Sequence, residues 1–313
     1  MEPGCIVTLT DATNRLEKMG LWHVAVFEFL RRPVAMNLMA ECMDECGKNA
    51  DEAILVLVSA MQYVYLRAQG IADGSTMFDG HGDFGSFELF LVRNHNEVYH
   101  LCIDRRVQAN VPARALPILE LIHGCYGAKP VRVIELGASA GMLGLMMMNA
   151  PAVRASWQTY FSPRQQSPVA WPEVVSYQGI DLSVPDTAWV LACIHDPQLR
   201  KQCLRFLLAF SGEAGWSVGH GSALDFPDLV QPSPDSQAVV VVTSYLLYQL
   251  SAENRHKLQQ TISGFLSAQR GCWINLDLFT DSNGNNCFVA ELDGMKKLAL
   301  QDDYCMTWTP YQG

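Results

Sequence analysis

The sequence predicts an α/β protein: a doubly wound, mostly parallel sheet preceded by a helical N-terminal cap. Three observations carry this. Val131–Asn149, VRVIELGASAGMLGLMMMN, runs from a β-branched stretch through a glycine turn into a Leu- and Met-rich stretch, the strand–turn–helix unit that opens a nucleotide-binding sheet. Ala238–Val242, AVVVV, has the composition of a central strand buried on both faces. Residues 1–125 read as mainly helical, with apolar residues at helical spacing. These set the expected domains: a mainly helical cap over 1–125 and a sheet domain over 126–313.

In order along the chain, Asp11 or Thr13 is placed to cap a helix carrying Leu16, Met19, Trp22, Val26, Phe29 and Leu30. Arg31-Arg32-Pro33 interrupts it, and Val34–Cys46 and Glu52–Gln69 follow as two more helical segments. The spaced methionines Met36, Met39, Met43 and Met61 read as core. Residues 70–85 form a glycine-rich loop; its Asp79, His81 and Asp83 suit either metal ligation or, as its turn composition favours, a surface loop. Phe87–Arg93 is a further apolar segment, and Leu116–Ile122 a helix leading toward the sheet.

Past the glycine turn, residues 151–171 read as an insertion rich in proline and aromatic residues. The second strand is expected within residues 174–183, VVSYQGIDLS, and the third near Ser217–His220, before the turn GSALDFP. After the AVVVV strand come a helix over Ala252–Gln269, a strand over Cys272–Leu278, a hairpin turn at 281–286, a strand over Phe288–Leu292 and a last strand in MTWTP.

Composition narrows the function. A formal charge of −10 with dispersed basic residues argues against a nucleic-acid partner. No apolar run approaches a membrane span. The N-terminal residues carry no secretory signal pattern, and the ten cysteines include no C-x-x-C, so reduced thiols, a cytoplasmic setting and no metal are expected.

The glycine turn admits three readings. Gly137 and Gly141 flank Ser139 where a dinucleotide fingerprint would have its second glycine. Gly137-Ala138-Ser139-Ala140-Gly141 also matches G-x-S-x-G, a nucleophile elbow, but the last histidine is His256 and no H-G-G-G-type loop precedes the turn. A packing turn with no ligand is the third. Glu135, two residues ahead of Gly137, favours a nucleoside loop of the acidic-x-G-x-G-x-G kind.

ELGASAG, YQGIDLS, GSALDFP and AVVVVTSYLLYQL stand in the order of class I S-adenosylmethionine (SAM) methyltransferase motifs, and the chain resembles that Rossmann-like fold. Over most of its length it also resembles the bacterial domain of unknown function 2332 family. It shares with that family Arg105, Arg106, Gln108 and Asn110 ahead of the sheet, then G-A-S-A-G and G-x-D-L. It departs at Val111, where the family usually has Glu, and lacks the family's C-terminal H-G pair.

The methyltransferase resemblance implies a SAM site. Glu135, Gly137, Ala138, Ser139 and Gly141 would line its first loop, with Glu135 near the ligand's ammonium. Asp181 and Leu182 would meet the ribose, Ser222, Ala223 and Leu224 the adenine, and Thr243 and Ser244 the crevice wall. Tyr177 and Tyr245 are the expected catalytic residues, as aromatic faces for a sulfonium. Arg106, Gln108 and Asn110 read either as a polar helix face or as substrate-binding groups suited to an amino-acid carboxylate. The expected activity is methyl transfer from SAM. The alternatives are cyclisation of SAM to azetidine-2-carboxylate with release of methylthioadenosine, and non-catalytic SAM binding. Sequence fixes neither the acceptor nor the oligomeric state.

Overall fold

The structure is a computed structural model that describes residues 3–18, 22–70, 75–79, 83–105, 114–152, 171–182, 186–210, 212–230, 237–280, 286–300 and 308–310. The chain divides into two compact units, Met1–Asn110 with Asp186–Leu208, and Val111–Pro185 with Ala209–Gly313. The first division falls ahead of residue 125, and residues 186–208 join the first unit, where the sequence reading had them in the sheet domain.

The first unit is helical. Its helices are α1 (Pro3–Lys18), α2 (Val24–Leu30), α3 (Pro33–Cys46), α4 (Ala50–Gln69), α5 (Phe84–Arg93) and α6 (His95–Asp104), joined by the later helices Thr187–Ala192 and, as far as Leu208, Pro197–Phe210. The single helix expected to carry Leu16 through Leu30 is two. Thr13 Oγ1 donates to Leu9 O within α1, and α2 starts afresh after His23, whose Nδ1 accepts from Ala25 N–H. Helix α3 starts on Pro33, which has no N–H to lose at a first turn. Asn49 caps α4 by accepting from Glu52 N–H at 2.9 Å. That helix is the axis of the unit, packed against α1, α3, α6 and Thr187–Ala192. Surrounded on that many sides, it buries even Ser59 and Gln62.

The second unit holds an eight-stranded sheet in the order β3-β2-β1-β4-β5-β6-β7-β8. The strands are β1 (Val131–Leu136), β2 (Val174–Asp181), β3 (Trp216–His220), β4 (Ala238–Ser244), β5 (Gly271–Thr280), β6 (Asn286–Leu292), β7 (Met295–Leu300) and β8 (Trp308–Pro310). The first five are parallel and the last three form an antiparallel extension. The sheet is therefore mostly parallel, as expected.

Helices cover both faces. Ile134 and Leu136 pack with Val239 and Val241 against Leu258 and Ile262 of the helix Ala252–Ser267. On the opposite face α8 (Met142–Met148) presses Gly144 onto the Tyr177 ring, where a Cβ would lie 2.3 Å away. Helix α7 (Ala115–Tyr126) packs on α8. Because strand side chains alternate, β1 sends Val133 and Glu135 to this second face. Strand β7 was missed in the sequence. Its signal is the Asp293-Gly294 turn, with both residues at positive φ (49° and 78°), the requirement of a tight hairpin. No helix among the described residues is long and apolar enough to cross a membrane.

Candidate functional site

In a sheet of this order the connections leave β1 and β4 in opposite directions, opening a crevice at their carboxyl ends. The turn after β1 lies there. Gly137, Ser139 and Gly141 all have positive φ (76°, 53° and 67°). At Gly137 and Gly141 this conformation favours glycine, and protein side chains crowd both. A Cβ on Gly137 would lie 3.1 Å from Leu246, and one on Gly141 2.3 Å from Val218. The glycines were expected to make room for a ligand; in the structure they make room for Leu246, Val218 and Trp216, whose indole N–H donates to Gly141 O at 3.0 Å. Ala138 is buried, and a Cβ on Gly179 would come within 2.6 Å of its methyl group.

Strand β2 braces the turn. Gly137 and Ala138 N–H both donate to Ile180 O, and the Asp181 carboxylate accepts from Ser139 N–H at 2.7 Å. Asp181 thus anchors the turn. Tyr177 O–H donates to Glu135 at 2.5 Å. Its ring is 1% exposed beneath Gly144. Tyr177 therefore positions Glu135, and the ring face toward α8 is not open to a ligand. Glu135 is itself buried, and burial pushes its carboxyl up from 4.5 to about 8 against the lowering effects of the Tyr177 hydroxyl and of Arg114. The same burial, with Glu135 beside it, raises the Tyr177 phenol well above its usual value.

Arg114, at the start of α7, was not singled out by sequence. It is 6% exposed, and its guanidinium stands 3.7 Å above the centre of the Tyr245 ring. Its Nε has no hydrogen-bond partner. Tyr245 is held rigidly at φ 56°; its N–H donates to Leu276 O at 2.7 Å, and its carbonyl accepts from Gln249 Nε2 at 2.5 Å. One face of the expected catalytic ring is thus taken by an arginine. The signal for Arg114 is slight: a lone basic residue one position before an almost wholly apolar helix.

The other expected residues divide. Ser244 has its Oγ buried and without a partner. Thr243 is placed differently. Register with Leu136 puts it on the opposite face of the sheet, 0% exposed. There its hydroxyl donates to Asn275 Oδ1 and accepts from Trp273 Nε1, both at 2.9 Å. Its assignment to the ligand is corrected: it is a core residue. Ser222 caps its own turn, accepting from Leu224 N–H, and Ala223 and Leu224 pack on the sheet core. Leu182 is 72% exposed. Arg106, Gln108 and Asn110 lie outside the described residues.

In the glycine-rich loop of the first unit, Asp79 and Asp83 both have protein partners. Asp79 accepts from Thr76 N–H and from buried Arg200, and Asp83 caps α5 through Ser86 N–H; His81 lies outside the described residues. No cluster of three or more potential ligands occurs among the described residues. Nor is 76–79 a surface segment, since Thr76 and Phe78 are buried.

A family profile matches residues 26–301. The chain belongs to the family described as "Uncharacterized protein conserved in bacteria (DUF2332)". No curated protein matches it in sequence. Similar solved structures include the plantazolicin methyltransferase BamL in complex with a triazolic desmethylPZN analog and SAH (12% identity, 71% of this chain and 57% of that one, TM-score 0.31). Others are a putative S-adenosyl-L-methionine-dependent methyltransferase from Methanococcus maripaludis (13%, 61% and 64%, 0.30) and an O-methyltransferase family protein from Burkholderia thailandensis (10%, 77% and 59%, 0.31). The chain spans less than two thirds of the length of each of these three. At such scores the similarity carries no argument about ligand or reaction.

Proposed function

We propose that the protein is a SAM-utilising enzyme acting on a small molecule, by methyl transfer. The observation that carries this reading is the meeting of Glu135, Ser139, Asp181, Arg114 and Tyr245 around the carboxyl ends of β1, β2 and β4. There two carboxyl groups and a stacked guanidinium face a turn built from positive-φ residues. Buried polar atoms without partners, Arg114 Nε and Ser244 Oγ, fit a polar ligand that completes them. Asp181 would accept from ribose hydroxyls and Glu135 from an ammonium, while Ser222–Leu224 would border the base.

SAM supplies an activated methyl group together with its own leaving group. The residues then need only to hold and align the reactants and exclude water. Asp181 fixes the turn and the ribose together, and Tyr177 fixes Glu135.

One observation favours cyclisation as the second reading. The buried Glu135 carboxyl, pushed up to about 8, is matched in acidity to an amine far more closely than an ordinary carboxylate is. It would take the proton an ammonium must lose before its nitrogen attacks the carbon beside sulfur. The C–N bond forms, the C–S bond breaks, and methylthioadenosine leaves.

Incubation of the protein with SAM alone separates the readings. Methylthioadenosine without an acceptor establishes cyclisation. Turnover only with an added acceptor establishes methyl transfer. Bound, unaltered SAM under every acceptor tried would favour a binding protein and count against both.

A further inference from the structure

We infer that Arg114 is the receptor for a free carboxylate on the ligand of this site, so that the site selects the α-amino acid end of a nucleoside ligand. The inference rests on the SAM reading and assigns a specificity residue to it.

A guanidinium withdrawn from water needs an anion or a set of acceptors to offset its desolvation. Arg114 is 94% buried by its 6% exposure, yet among the described residues it forms no ion pair and its Nε finds no acceptor. Its guanidinium stacks on the Tyr245 face. Stacking fixes the plane of the group and leaves its N–H edges for a bidentate partner. Glu135 lowers no such demand, because its carboxyl accepts from Tyr177 and burial keeps it largely protonated near neutral pH. The same chain shows what a satisfied buried arginine looks like: Arg200 donates to Gln62, Ile194 O, Thr76 and Asp79.

The chemistry of the missing partner follows from the neighbours. The Asp181 carboxylate acts electrostatically at this place, which disfavours a phosphate dianion. A single carboxylate adjoining an amine is matched on both sides, the carboxylate by Arg114 and the amine by hydrogen bonding to the Glu135 carboxyl.

The test is a calorimetric comparison of S-adenosylhomocysteine with its decarboxylated analogue, which keeps the amine and the adenosine. Wild type should bind the analogue roughly 30-fold or more weakly, as a site built to pair a polar group rejects a ligand lacking it. Arg114→Met should bind both at the weaker level, erasing the difference, and Arg114→Lys should restore part of it. A thermal melt close to that of wild type certifies the fold of each variant. Equal binding of both ligands by wild type overturns the inference without any variant and leaves the SAM reading standing. So does an Arg114→Met protein that still discriminates. Wild type that binds neither ligand overturns the SAM reading and this inference with it.

Discussion

Arg200 in the helical unit and Arg114 in the sheet unit are both buried, and the two are treated differently. In the helical unit Arg200 is 0% exposed and meets four acceptors: the Gln62 amide at 2.7 Å, the Ile194 carbonyl at 2.5 Å, the Thr76 hydroxyl at 3.3 Å and the Asp79 carboxylate. Around it His195 shares a 3.0 Å hydrogen bond with Ser59 and packs its ring 5.0 Å from Trp22. This centre joins α4, the 76–79 turn and residues 194–200 into one scaffold. In the sheet unit Arg114 has an aromatic platform and an Nε with no acceptor. A buried guanidinium with its acceptors in place holds a fold together; one without them calls for a ligand.

The largest expected effect breaks the closed centre. Arg200→Met leaves the Asp79 carboxylate without its cation and should cost about 3–5 kcal/mol in denaturant unfolding. Arg114→Met removes an unpaired buried charge and should change stability by no more than about 1 kcal/mol, in either direction. Equal losses for the two variants would erase the distinction between scaffold and site.

The two centres also respond to pH with opposite sign. Burial lowers the His195 imidazole from 6.5 to about 3, with Arg200 adding to the effect. Below pH 6.5 the unfolded chain takes up a proton that the folded one refuses, so stability falls as pH drops from 6.5 toward 3. Glu135 is raised from 4.5 to about 8. Its contribution is complete below pH 4.5 and is lost as pH climbs to 8, because there the folded state holds the extra proton. Glu135→Gln should flatten the alkaline side, gaining of order a few kcal/mol at pH 8 relative to pH 5, and leave the acid side unchanged. A Glu135→Gln profile that parallels wild type from pH 5 to 8 would show that this carboxyl is ionised in the folded protein.

A smaller effect is expected at Asp181, which serves both turn and ligand. Asp181→Asn keeps one acceptor for Ser139 N–H and should weaken nucleoside binding by roughly 1–3 kcal/mol with the fold intact. Asp181→Ala should in addition lower stability by about 1 kcal/mol through the orphaned amide. If the two bind ligand as wild type does, Asp181 belongs to the turn alone.

The sheet was legible because its signals are local. β-Branched runs define β1 and β4, and the glycines of the turn do stand at positive φ. What was not legible depends on register and on side chains distant in sequence. The polar carboxyl end of β4 looked like a crevice wall, yet alternation sends Thr243 into the core and leaves Ser244 at the site. Tyr177 read as an open aromatic face because its cover, Gly144, lies 33 positions earlier in the chain. Arg114 carried no motif; only burial and an unmet hydrogen bond mark it. The stretch leading to Asp79 read as a surface loop, yet Thr76 and Phe78 are buried and Asp79 pairs with Arg200, a residue distant in sequence.

The central claim, that the crevice above β1 and β4 binds SAM, is tested most directly by titrating the purified full chain with SAM and S-adenosylhomocysteine in a calorimeter. The account predicts saturable binding at micromolar concentration, about −8 kcal/mol, kept in Ser139→Ala and lost in Gly137→Val, whose side chain meets Leu246 at a positive φ. No heat and no thermal shift with either ligand would contradict it.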